Sequence, residues 1–282
     1  MSADLHCHTT VSDGSVSPEF LVSLAKRVGL SAVAITDHDY YAGSYHAAEL
    51  GVKHGITVIE GIECSTADKA RGHRVHILCY RCKYTEVLDD LLAKANRSRE
   101  EAVRQMIRKA SRLYPITEEM VMDGVGANGF CGKQHIMLAL MKAGYTDEMF
   151  GDLYRQLFSV KDGSCFVSVA YPDALEAMRC LRESGGVIVL AHPSVYGSIA
   201  SLDDLIRAGL HGVELYHPRN TSEHQKMLLE AAAEHGLLLT GGTDFHGCFA
   251  EKSRLLPLGT CTASDEQFEV LMEKSARLWQ EN

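Results

Sequence analysis

Short runs of apolar, β-branched residues alternate along this chain with longer stretches whose apolar positions recur every three or four residues. The runs SADLHCH (2–8), AVAITDH (32–38), TVIEGIE (57–63) and RVHILCY (74–80) read as strands. GVIVLAHP (186–193), HGVELYHP (211–218) and LLLTGGTDFH (237–246) read the same way. Between them lie amphipathic segments such as SPEFLVSLAKRVG, where Pro18 suits a first helical turn and Gly29 a stop. SEHQKMLLEAAAEHG, closed by Gly236, has the same form. Apolar strands alternating with helices predict a parallel sheet covered by helices. Seven such units suit a closed α/β barrel better than an open sheet.

The alternation breaks between residues 81 and 165. EVLDDLLAKANRSREEAVRQMIRKASRL and KQHIMLALMKAG are helical in period, punctuated by Pro115 and the glycine-rich DGVGANG. The expected organisation is a barrel of residues 1–80 and 166–282, with an inserted helical subdomain over residues 81–165. A lid that excludes water and grips a substrate is the functional reading of the insertion, and a stabilising appendage is the alternative.

Composition narrows the classes. A chain of 282 residues, 46% apolar and 23% charged, is about right for one barrel with a small insertion. No apolar run approaches the roughly 20 residues of a membrane helix. The N-terminus shows no signal-peptide pattern, so a cytoplasmic protein without a membrane partner is expected. The formal charge of −9 argues against a stable nucleic-acid partner, because phosphate backbones favour a basic surface. Nine cysteines without regular spacing read as reduced, mostly buried side chains. Cys79 and Cys82 form a C-x-x-C, but no second one completes a zinc ribbon; a redox pair is the alternative. Nothing in the chain fixes an oligomeric state.

The chemistry gathers at strand ends. His6 and His8 are two residues apart on a strand and share a face, so both imidazoles can reach one metal. Asp13 follows in an Asp-Gly turn from which a carboxylate can swing back. TDHD sets His38 after a buried strand, flanked by Asp37 and Asp39, one of which could orient an imidazole. Glu63 ends the third strand, His76 lies within the fourth, and His192, Asp244 and His246 follow the fifth and seventh. Gly241 and Gly242 permit close backbone approach beside the last pair. Six of seven strands thus carry His, Asp or Glu at or near the end where α/β barrels place catalytic groups. Burying so many polar groups without partners is costly. Imidazole with carboxylate suits Mn²⁺, Zn²⁺ or Fe²⁺ better than Ca²⁺ or Mg²⁺. Nine ligands exceed what one ion can use, so two or three ions are expected.

The series DLHCHTTVSDG, AITDHD, GIE, an in-strand histidine, LAHP and GGTDFHG resembles the PHP (polymerase and histidinol phosphatase) family, and VELYHP and the K-Q-H-I segment resemble its stand-alone phosphoesterase branch. The resemblance implies a distorted (β/α)₇ barrel with a trinuclear metal site and metal-dependent phosphoester hydrolysis. It assigns His6, His8, Glu63 and Asp244 to one metal. Glu63 would bridge to a second with His76 and His192, and Asp13, His38 and His246 would hold the third. Three divalent ions are implied, Mn²⁺ first, with Zn²⁺ and Fe²⁺ as alternatives. The segment that often reads G-R-P-H in this branch is GKQH here, so Lys133 stands where an arginine would grip phosphate. TDHDYYAG replaces the more usual TDHDT, bringing Tyr40 and Tyr41 near the rim.

The expected reaction is hydrolysis of a small phosphorylated metabolite, a nucleotide or sugar phosphate, by a hydroxide bridging two metals. The scissile ester is a monoester, a bisphosphate or a cyclic diester. Glu63 and Asp244 are the catalytic carboxylates, and His217 is the candidate for protonating the leaving group. Lys133, His135, Arg99 and Arg104 on the lid, with Arg219 after the sixth strand, are candidate substrate-binding groups. A histidinol-phosphate phosphatase, a metal-dependent amidohydrolase or deaminase, and an inactive metal-bound module are the competing readings. The complete ligand set argues against the last two.

Overall fold

The structure is a computed structural model that describes residues 2–126, 128–250 and 256–281. All seven expected strands form. The first half of the chain holds β1 (Ser2–Asp4), α1 (Pro18–Arg27), β2 (Ala32–Ile35), α2 (Ala42–His54), β3 (Thr57–Asp68) and β4 (His73–Tyr80). The insertion contributes α3 (Glu86–Leu113), α4 (Glu118–Met122), α5 (Lys133–Lys142) and α6 (Asp152–Phe158). Then come α7 (Ala174–Glu183), β5 (Val187–Leu190), α8 (Leu202–Arg207), β6 (Gly212–Tyr216), α9 (Ser222–His235), β7 (Leu238–Gly241), a short β8 (Ala263–Ser264) and α10 (Asp265–Glu281). None of the described helices is long and apolar enough to cross a membrane.

The sheet order is β7-β6-β5-β4-β3-β2-β1-β8. One expectation is overturned: the sheet is not uniformly parallel. β4 runs antiparallel to both β3 and β5. Only four residues separate β3 from β4, too few for a helical crossover, so the chain must turn back on itself. Asp68 shapes that turn, accepting from Arg71 N at 2.9 Å, while Gly72 N donates to Asp68 O at 2.7 Å. Glu63 consequently lies inside β3, which continues to Asp68, and not at the strand's end.

Beyond their regular parts, the first and seventh strands meet. Leu5 N donates to Gly241 O, Phe245 N to His6 O and His8 N to Phe245 O, at 2.8 to 3.2 Å, with a parallel bridge between Cys7 and Phe245. These bonds bring the sheet's edges together as a barrel. The buried Asp4 carboxylate ties the same seam, accepting from Thr243 N, Thr243 Oγ1 and Gly259 N at 2.6 to 2.9 Å. A Cβ on Gly242 would lie 2.2 Å from His6 Cβ, so the close approach expected there requires glycine.

Strand parity decides what faces inward. Ala32 and Ala34, Ile59, Leu78 and Tyr80, and Val187 and Val189 share one cluster, crossed by Leu271 of α10. The alternate positions Ile62, Val75, Ile77, Cys79, Ile188 and Val213 pack outward against α3, α7 and α9. Cys79 and Cys82 are both buried free thiols, and contact with Cys82 together with burial pushes the Cys79 thiol well up, away from the reactive thiolate. Trp279 of α10 packs on the barrel, donating to Arg81 O at 2.9 Å.

The insertion has a core of its own, in which Ala102, Val103, Met106 and Ile107 of α3 meet Ile136, Met137 and Leu140 of α5 and Phe158 of α6. The first turns of α3 belong elsewhere. Leu88, Leu91 and Leu92 pack in the barrel's outer layer with Met178 and Leu181 of α7. One helix therefore serves two cores.

Candidate metal centre

The inward face continues upward from the apolar interior into the site. On β3, Ile59 is followed at two-residue steps by Gly61, Glu63 and Ser65; on β4, read downward, Arg74 and His76 precede Leu78 and Tyr80. The same parity places Glu214 of β6 inward.

Glu63 is the hub. Its Oε1 lies 2.7 Å from His192 Nε2 and 2.8 Å from His76 Nδ1. Its Oε2 lies 3.1 Å from both His6 Nε2 and His8 Nε2, and 3.3 Å from His38 Nδ1. Asp244 Oδ1 sits 3.4 Å from His6 Nε2 and 3.2 Å from His8 Nε2. Asp13 faces His246 Nε2 at 3.3 Å, His8 Nδ1 at 3.4 Å and His38 Nε2 at 3.8 Å. The structure thus brings all nine candidate ligands together. Three groupings have ligand atoms within 4.8 Å of one another: His6, His8, Glu63 and Asp244; His8, Asp13, His38 and His246; and His38, Glu63 and His76.

Donors around one ion about 2.1 Å away are never much more than twice that distance apart, so these clusters are near the right size for divalent cations. A second observation agrees. Both ring nitrogens of the buried His8 face only carboxylate oxygens, at 3.1 to 3.4 Å and in no well-aligned hydrogen bond, and Nδ1 of the buried His192 has no partner among the described residues. Lone pairs converging on shared points, with no donor to meet them, suit a cation.

Backbone conformation concentrates here too. Of four non-glycine residues with positive φ among those described, Asp39 (54°), His192 (26°) and Asp244 (55°) are at the site. The electrostatics are those of a tight acid–imidazole cluster. Burial alone would raise the Glu63 carboxyl, but His38, His6 and His76 hold it well below the usual range. Burial alone would lower His8, yet its contacts with Asp244 and Glu63 and the charge of Asp13 raise it to about 10.

Orientation comes from a residue that the motifs did not flag. Glu214 Oε1 lies 3.0 Å from His6 Nδ1, and its Oε2 accepts from His192 N at 2.7 Å. Neither Asp37 nor Asp39, one of which is expected to orient an imidazole, touches a ring directly among the described residues. Asp37 holds the loop bearing Asp13, accepting from Thr9 N, Thr9 Oγ1 and Ser12 Oγ; Asp39 pairs with Arg99.

Above the centre opens a cavity of about 600 Å³, lined among others by Arg74, Arg99, Lys133, Tyr171, Tyr196, His217 and Arg219. Arg74, also unflagged, lies against the Tyr171 and Tyr196 rings at 5.4 and 5.6 Å. Lys133 Nζ sits 4.8 Å from the Phe166 ring centre. Burial, with the nearby charge of Arg74, lowers the Lys133 amine to about 8. His217 is buried; its Nδ1 accepts from Arg219 N at 3.2 Å, and its Nε2 lies 3.6 Å from Asp244 Oδ2.

Two candidate substrate groups are set apart from the cavity. Arg104 is exposed and ion-paired with Glu100 and Glu118 of the insertion. His135 is buried, its Nδ1 accepts from Gly132 N at 3.0 Å as a helix cap, and burial lowers its pKa; it is a neutral structural group. Tyr40 packs edge-on against Phe130, and Tyr41 against Tyr84, behind the cavity wall.

The chain superposes on a candidate metal-dependent phosphoesterase of Bifidobacterium adolescentis with a TM-score of 0.88, at 31% identity over 96% of each chain. Fold and site together define a metal-dependent phosphoesterase. The chain belongs to the PHP domain family, whose model matches residues 4–240. Among curated relatives, it is 37% identical to a phosphoribosyl 1,2-cyclic phosphate 1,2-diphosphodiesterase of Eggerthella lenta, across 88% of this chain and 95% of the relative. It is 29% identical to a 5'-3' exoribonuclease of Haemophilus influenzae, across 86% and 89%.

Proposed function

We propose that the protein hydrolyses a small phosphorylated metabolite bearing a second anionic group, at a centre holding three divalent ions, Mn²⁺ first among Mn²⁺, Zn²⁺ and Fe²⁺. The observation that carries this is the pairing of nine convergent ligands with a cationic wall above them. Arg74, Lys133 and Arg219 line the cavity, and none has a carboxylate partner among the described residues. Cations gathered without counter-charges favour an anion. A cavity of about 600 Å³ is the size of a metabolite site. The Eggerthella relative, named for a phosphoribosyl cyclic phosphate, supports the same class.

Divalent ions bound in such a site lower the pKa of water and neutralise phosphoryl oxygens. The residues do the rest. Lys133, Arg74 and Arg219 orient the distal anion, and the aromatic wall keeps bulk water away. With Nδ1 accepting from the Arg219 amide, the neutral His217 ring carries its N–H on Nε2, facing the cavity, where it can donate a hydrogen bond to the leaving oxygen as charge develops there.

The test is product formation after Mn²⁺ loading, read as released phosphate from nucleoside monophosphates, 3′,5′-bisphosphates, ribose phosphates and histidinol phosphate, and by chromatography as ring-opened monoester from cyclic diesters and as mononucleotide from a short oligoribonucleotide. The chelated protein is the control. Turnover confined to small substrates with a second anion supports the reading. Preference for the oligonucleotide moves the protein to the exoribonucleases, and preference for plain monoesters removes the role of the cationic wall.

Lys133 gives the proposal a pH signature. Its charge is present below about 8 and lost as pH rises through that value. KM is therefore expected to rise between pH 7 and 9, by roughly tenfold if one charge-assisted contact is lost. In Lys133→Arg, charged throughout this range, KM stays flat. Parallel KM–pH profiles in both proteins would show that Lys133 does not touch the substrate.

A further inference from the structure

The apolar stripe of α3 runs from Leu88 to Ala110 with one buried charge in it, Arg99. A guanidinium in such a stripe is costly unless its charge and N–H groups are met. They are met from the barrel. Nη2 donates to the Asp39 carboxylate and, at 2.9 Å, to Ser65 Oγ; Nη1 donates to Asn96 Oδ1 at 2.7 Å. Asn96, three residues earlier on the helix, donates to Asp39 O at 3.0 Å. Two side chains of one helix thus hold Asp39 by its carboxylate and its carbonyl.

Asp39 follows His38 directly and keeps a positive φ of 54°. Its remaining contacts run to the strand of Glu63. Asp39 N donates to Glu63 O at 3.0 Å, and Ser65 N donates to Asp39 Oδ1 at 2.8 Å. Ser65 Oγ lies 3.4 Å from His38 Nδ1. The Phe130 ring stacks 4.6 Å from the Arg99 guanidinium carbon and, almost parallel to it, 6.5 Å from the His38 ring. Both routes from Arg99, polar and aromatic, end on His38 or Glu63.

We propose that Arg99 is a positioning residue, which fixes His38 and the Glu63 strand through Asp39 and Ser65, and that it does not grip phosphate. The inference rests on His38 and Glu63 being metal ligands. Arg99 differs from Arg74, Lys133 and Arg219 in that its charge is already matched by a buried carboxylate.

The experiment uses the full chain with Arg99→Met, Arg99→Lys, Asp39→Asn and the Arg99→Met/Asp39→Asn pair. Mn²⁺ affinity is read by chelator competition, kcat and KM on the best ester of the panel, and thermal stability alongside. Arg99→Met and Asp39→Asn are each expected to weaken at least one Mn²⁺ by about 10- to 100-fold. kcat should fall while KM stays within about threefold. The double variant should lose no more than the worse single one, because both break one link, and Arg99→Lys should recover part of the loss. If Arg99→Met does not fold, Asp39→Asn and Arg99→Lys carry the same comparison. A tenfold rise in KM with unchanged metal affinity would make Arg99 a substrate ligand. Reduced thermal stability with unchanged metal affinity and kcat would make the pair only structural. Failure of the unaltered protein to bind Mn²⁺ sinks the metal-centre reading and this inference together, whereas unaltered affinity in every variant sinks the inference alone.

Discussion

Glu63→Gln is expected to lower phosphoester hydrolysis by on the order of 10³-fold or more, with loss of bound metal. The carboxylate is buried, and its two oxygens lie within 3.3 Å of five imidazoles. An amide keeps the shape but removes the charge and turns one acceptor toward the histidines as a donor. At least two of the three ligand groupings lose their shared member, since Glu63 belongs to both. Metal content after dialysis, measured with kcat/KM, checks this. A variant that retains its full complement of metal and activity within tenfold would show that Glu63 is not shared between ions.

His217→Asn is expected to lower kcat by about 10²- to 10³-fold on alkyl phosphates, the range for a lost hydrogen bond to a developing oxyanion. The effect should shrink sharply on p-nitrophenyl phosphate, whose leaving group departs without a proton. The tautomer carries this argument: the amide of Arg219 donates to Nδ1, leaving the proton on Nε2 beside Asp244. Equal losses on both substrates would mean that His217 shapes the site around Asp244 and gives the leaving oxygen no hydrogen bond.

The candidate metal ligands were legible because each stands in a short motif beside a strand, and nine on one rim are hard to explain otherwise. Arg74 and Glu214 were not, because their role depends on parity. Each shares the inner face of its strand with residues that bury inside the barrel, and that face is known only once the outer face is seen to pack on α7 and α9. Glu214 nevertheless left a trace, as a lone carboxylate between Val213 and Leu215. The reversal of β4 was readable from the short gap between Glu63 and Arg74, which cannot hold a crossover helix. Charge alone misled at Arg104 and His135, since a basic residue on a lid helix says nothing about which side it faces. Adjacency in sequence points to Asp37 or Asp39 as orienting an imidazole directly; neither touches one, and the carboxylate that holds His6 is Glu214, some 200 residues away.

The reversed β4 has a mechanical consequence. Its end at Tyr80 pairs with Val187 at the start of β5, on the barrel floor, so the chain leaves for the insertion from the side opposite the metal-ligand rim. α3 makes up the distance: 28 residues at about 1.5 Å each reach about 42 Å, enough to climb the wall and stand above it. The roof is therefore a cantilever, rooted in the wall by Leu88 and Leu91 and carrying its own core on the far end of the same rod. A swing of the whole roof would have to bend that rod, and unfolding of either core would strip the other of a packed face. The two parts are therefore expected to unfold in a single transition, which denaturant curves followed by two independent probes would show as coincident.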